Sequence, residues 1–277
     1  MKFVLTIAML SALTVPLCGQ ARQRPAIDYL QSAARPVAHS QQERNDYLAA
    51  SQAPTGAGLE AAAENFAQQY PQSQLRVHLY ARAMQAYQRE NNGPKVLAMA
   101  EQVLALKPNH SVALVLTATA LADELNNADR DRERKIDAIK RAANRAIHGI
   151  DTGFIPPPTA GPGDVARYRA TLQSMAYSAL GIMRLKTGDD AGAEKDLATA
   201  LSLDRIRPDG SLWYHLALAQ DHRKKYSSAL NSVEQALQLA SSNPELQKLA
   251  EIEYDRLAGL AGRAPRPQSD AGAAIPH

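Results

Sequence analysis

The chain has 277 residues, with 31 Lys and Arg against 28 Asp and Glu, 45% hydrophobic and 21% charged. Those proportions suffice for a core and exclude wholesale disorder, and a formal charge of +3 lacks the basic footprint of a nucleic-acid binder. A single cysteine excludes an intrachain disulfide framework and a multi-cysteine metal site, while 5% aromatics with abundant Ala, Leu and Gln favour helices over strands.

At the N-terminus, Met1-Lys2 precedes an apolar run from Phe3 to Val15. A membrane-spanning helix needs about 20 apolar residues, so this run is short for one. The basic start, the apolar stretch, Pro16 and the small residues Gly19 and Ala21 read as a secretory signal peptide over residues 1–21, cut after Ala21 or after Gly19. The expected location is therefore periplasmic or secreted, with an uncleaved anchor as the alternative. Cys18 raises another: bacterial lipoproteins are cut just before a cysteine that is then acylated. Their pattern has a small residue immediately before that cysteine, whereas Leu17 and Pro16 stand here. Membrane association is expected only if Cys18 is lipidated. Residues 22–39 read as a linker.

Beyond it the chain repeats. Ala193, Leu197, Ala200, Leu201 and Leu203 return as Ala229, Val233, Ala236, Leu237 and Leu239, 36 positions on. Ahead of them, Tyr177, Leu180, Gly181 and Arg184 match Trp213, Leu216, Ala217 and Gln220 at the same offset. Steps of 3, 4 and 7 put the small and apolar members on one helix face, so each unit is two amphipathic helices. Upstream, Tyr80, Ala83, Met84 and Tyr87 lead into Val96, Ala100 and Val103, and Leu59, Ala63 and Phe66 close at Pro71. A looser unit pairs Leu114, Ala118 and Leu121 with Ile139, Ala143 and Ala146, across the charged stretch from Asn126 to Arg134.

These motifs resemble the tetratricopeptide repeat (TPR), an antiparallel helix pair of about 34 residues. The expected fold is all-α, a solenoid of stacked pairs over residues 40–260. Five pairs are read, at 40–73, 74–110, 111–149, 167–205 and 210–241, closed by a helix from Pro244 to Leu260 that covers the last apolar face. Small residues at Gly181, Ala200, Ala217 and Ala236 allow close helix approach. Tyr80, Tyr177 and Trp213 fill the gaps between units, with Trp213 expected to be buried. Residues 149–163, rich in Pro and Gly, read as a non-helical insertion, and 261–277 as a disordered tail.

The motifs of common chemistries are missing from the sequence. There is no His-Glu-x-x-His, no Gly-x-Ser-x-Gly and no phosphate-binding glycine loop. His215 and His222 are seven apart, about 10.5 Å of helix rise, too far to share one metal. No cofactor, metal or catalytic set is expected. The TPR resemblance implies a non-catalytic scaffold that holds a peptide or protein in a groove lined by the first helix of each pair, and the expected signal peptide places it in the cell envelope. By the family's register the lining is His78, Ala81, Gln85 and Arg89; Val112, Val115, Thr119 and Asp123; Met175, Ser178, Ile182 and Lys186; and Ser211, Tyr214, Leu218 and His222. The strongest anchors in that set are Met175, Ile182, Lys186, Tyr214, Leu218 and His222, with a partly buried inner lining as the competing reading. The Lys, Arg and Asn set by which chaperone-tail binders of the family grip a terminal carboxylate is not reproduced. Two alternatives stay open: a lipid-anchored envelope-assembly component, and an accessory domain of an envelope enzyme.

Overall fold

The computed structural model describes residues 38–153, 160–204 and 209–263. The expected signal peptide with Cys18, the linker up to residue 37, the Phe154–Pro158 run and residues 264–277 lie outside the described residues. Among those described there are eleven helices and no strand: α1 Gln41–Ala50, α2 Gly56–Gln69, α3 Leu75–Arg89, α4 Gly93–Leu106, α5 Ser111–Glu124, α6 Arg132–Gly153, α7 Pro162–Thr187, α8 Asp190–Leu203, α9 Gly210–His222, α10 Tyr226–Leu239 and α11 Pro244–Leu260.

Local chemistry sets the helix ends. Ser40, Thr55, Asn92, Asp189 and Asn243 each accept a backbone N–H of the first turn, satisfying a donor the helix itself cannot. The turn inside a pair uses one device three times: Asn91 (φ 54°), Gly188 (φ 82°) and Lys224 (φ 60°) all take the left-handed conformation at equivalent positions. Glycine does so freely and asparagine tolerably, whereas lysine is strained there.

The helices pack as antiparallel pairs, α3 on α4, α5 on α6, α7 on α8 and α9 on α10, and each pair stacks on the next. A continuous core runs from α2 to α9, and two smaller clusters bind α9 and α10 to α11. Within a pair, close approach depends on complementary volumes. A Cβ at Gly181 would stand 2.6 Å from Leu197 Cγ. One unit later the same two positions are Ala217 and Val233, both fully buried in one cluster. The methylene removed from one partner reappears on the other. A polar pair is exchanged in the same way. Arg184 Nε lies 3.1 Å from the buried carboxylate of Asp196, while the Ser232 hydroxyl donates to Gln220 Oε1 at 2.7 Å.

Charges stitch neighbouring units along the starts of the second helices. Glu60 of α2 pairs with Lys95 at 2.8 Å, and Glu194 of α8 with Lys225 at 2.9 Å and with Arg223. Glu90 accepts from Gly56 N at 2.8 Å, setting its charge on the positive end of α2. A Cβ on Gly56 would meet both that carboxylate and the Tyr87 ring, so the corner requires glycine.

Two expectations are corrected. Residues 149–163 are not wholly non-helical: α6 continues to Gly153 and α7 begins at Pro162. Proline fits a first helical turn, where its missing N–H costs nothing. Trp213 is half-buried, packed against both the main core and the α10–α11 cluster. Its neighbour Tyr214, 9% exposed, is the more enclosed of the two.

Candidate functional site

In α3, steps of 4, 3 and 4 place His78, Arg82, Gln85 and Arg89 on one face. None of the four is buried. This face is uncovered because α3 packs on α2 and α4 and barely meets α5. In α9 the same steps give Ser211, His215, Leu218 and His222, again with none buried. The equivalent residues in the middle of the array behave differently. Val112 and Leu116 of α5 and Met175, Ala179 and Ile182 of α7 all belong to the core, because α5 and α7 pack along each other.

Lys186 explains how that closed junction is held. Its Nζ donates to Ala122 O at 2.8 Å and Asp123 O at 2.7 Å, which are carbonyls at the end of α5 that have no partner within that helix. A cation there also meets the negative end of the helix dipole. In return Arg132 Nη2 donates to Lys186 O at 3.2 Å. Lys186 therefore clamps the third and fourth pairs together and is not a free groove cation.

The expected anchors consequently separate. Met175 and Ile182 are packing residues, 9% and 8% exposed. Tyr214 lies with Ala236, Ala240, Leu246 and Ala250, where it seats the closing helix α11. Burial pushes its phenol up to about 12, and the Glu253 carboxylate adds to the effect. Beside it Arg256 Nη2 bridges Asp221 at 2.5 Å and Glu253 at 2.7 Å, tying α9 to α11. Leu218 and His222 keep accessible positions on the α9 face, and His222 Nδ1 stands 2.8 Å from Asp190 Oδ1 of the preceding unit. His215 Nδ1–H donates to Ser211 O at 2.8 Å, and burial lowers its pKa.

Sequence reasoning missed Arg82 and His215, since the faces step four residues at those points and not three to Ala81 and Tyr214. The signal was available: at both places the polar residue lies on the 4-3-4 track and the apolar one off it. Among the described residues no group of three or more His, Cys, Asp or Glu converges as a metal site, and no helix is long and apolar enough to cross a membrane.

No family model matches the sequence, and no curated protein does. Among solved structures, a crystal structure of a thermophilic TPR protein from Thermus thermophilus is similar, with a TM-score of 0.42 and 17% identity, covering 79% of this chain and 98% of that one. Likeness at that level adds nothing to what the helices themselves show. By their own packing the described residues form an all-α, TPR-like solenoid of antiparallel helix pairs.

Proposed function

We propose that this chain is a non-catalytic scaffold that holds a peptide or protein segment against the uncovered faces of its first helices. The observation that carries the reading is the pattern of coverage. The 4-3-4 face is packed away in α5 and α7 but left accessible in α3 and α9. A scaffold role also fits the polar chemistry of the array. Its cations and carboxylates close helix ends and join units, as Lys186, Glu90 and Arg256 do. A photo-crosslinking residue introduced at Gln85 or Leu218 in the native host should capture a second polypeptide, and one at the outward-facing Lys195 should not. Capture from Lys195 alone would overturn the assignment.

The proposed location is the cell envelope, supported by the basic start, apolar run and small residues before position 22. N-terminal sequencing of the native protein should find the chain starting near Gln20 or Arg22. A start at Met1 would refute export by cleavage, and a lipid-modified Cys18 would instead establish the anchored alternative.

A further inference from the structure

The uncovered face of α3 is a row of donors without acceptors. Among the described residues neither Arg82 nor Arg89 makes an ion pair, whereas at the outer edge Lys95 stands 2.8 Å from Glu60 and Lys225 2.9 Å from Glu194. Arg82 Nε and Gln85 Nε2 are shielded from solvent with no hydrogen-bond partner. Three carboxylates of the first two pairs are engaged elsewhere: Glu60 by Lys95 and Tyr87, Glu90 by Gly56 N, and Asp46 by Tyr70 at 2.6 Å. At the start of the face, burial and then the Lys107 ammonium lower the pKa of His78, so positive charge at this end comes from Lys107. Such a row is complementary to negative charge.

Spacing narrows the partner further. Arg82 and Arg89 are seven residues apart, about 10.5 Å of helix rise. An extended polyproline-type segment rises about 3.1 Å per residue with three residues per turn, so its positions i and i+3 lie on one side about 9.3 Å apart. Its backbone makes no internal hydrogen bonds, so its carbonyls stay free for donors along the face. The parts of this chain outside the described residues do not supply the complement: residues 1–37 contain one acid, Asp28, and residues 264–277 one, Asp270.

We infer that the α3 face anchors an acidic extended segment of a partner protein, with carboxylates three residues apart so that one meets Arg82 and the next Arg89. This deepens, and rests on, the scaffold reading above. The test uses the full mature chain and a fluorescein-labelled peptide, Pro-Glu-Pro-Pro-Glu-Pro, read by fluorescence anisotropy. The peptide should bind, and its Gln-for-Glu version should bind about tenfold more weakly or worse. Arg82→Gln with Arg89→Gln should give a similar loss, and so should raising salt from about 0.05 to about 0.3 M. Removing two cations elsewhere, Lys140→Gln with Arg141→Gln on α6, should leave affinity unchanged. If the double α3 variant loses helical signal, Arg89→Gln alone, at an exposed position, carries the test. Equal binding of the Glu and Gln peptides would overturn the acidic chemistry while leaving the scaffold reading intact. An equal loss in the α6 variant would reduce the effect to diffuse attraction and overturn the site. No binding by the unaltered chain would also overturn it, and crosslinking from Gln85 and Leu218 would then decide the scaffold reading separately.

Discussion

Gly181→Ala tests whether the helix pairs are fitted by exchange of volume. The added Cβ would stand 2.6 Å from Leu197 Cγ, 2.9 Å from Cδ2 and 3.2 Å from the Leu197 backbone nitrogen. Carbon atoms in contact prefer about 3.5–4 Å, so the overlap approaches 1 Å, and the backbone atom limits how far the leucine can yield. Overpacking of this kind costs about 1–3 kcal/mol, against a helix-propensity gain of about 1 kcal/mol for replacing glycine. The net expectation is a loss of about 1 kcal/mol. Leu197→Val alone removes one methylene and leaves a small void, costing about 1 kcal/mol. The double variant recreates the combination of Ala217 and Val233. It removes the clash, fills the void and keeps the propensity gain, so its stability should return to that of the parent. The coupling between the two sites should then be about 2 kcal/mol. Urea unfolding followed by far-ultraviolet circular dichroism and by Trp213 fluorescence gives all four corners of the cycle. Simple additivity, or stabilisation by Gly181→Ala alone, would refute the reasoning.

Lys224→Gly relieves a left-handed lysine at the position where the preceding unit has Gly188, and should raise stability by about 1 kcal/mol; a lower urea midpoint would count against this. Burial, then Lys107 and His78, hold the His110 imidazole at about 4 against an ordinary 6.5. The folded state therefore resists the proton that the unfolded state accepts, so stability present above pH 6.5 should be lost as pH falls towards 4, by up to about 3 kcal/mol. His110 Nδ1 also caps α5 by accepting from Ala113 N at 3.2 Å; His110→Asn keeps a cap and should flatten that pH dependence, and an unchanged curve would refute the assignment. Lys186→Met should leave the α5 carbonyls unpaired and cost about 1–3 kcal/mol, whereas an unchanged unfolding midpoint would show that water replaces the clamp.

Much of the array was legible in its letters because helix pairs advertise themselves locally. Asn243-Pro244 is both a cap and a start, and the helix read from Pro244 to Leu260 occupies those residues. The small residues Gly181, Ala200, Ala217 and Ala236 are all buried, as their spacing implied. What spacing could not convey was which first helices touch one another. Met175, Ile182 and Lys186 occupy the same track in α7 as His78, Gln85 and Arg89 in α3, and periodicity treats them alike. Their types tell them apart: the apolar track is covered by α5 and the polar one is open. The insertion was misread for a similar reason, since proline counts against a helix interior but not against its first turn.

The closed junction between α5 and α7 leaves the open faces of α3 and α9 on different sides of it in the chain. A ligand that used both would be bivalent: two short contacts, each weak alone, joined by a tether. Its strength would follow from the local concentration the tether imposes more than from either contact. Tethers too short to span the junction would lose the second contact entirely, and longer ones would lose affinity only gradually as they slackened. Selectivity among partners would then reside partly in a stretch of ligand that touches nothing.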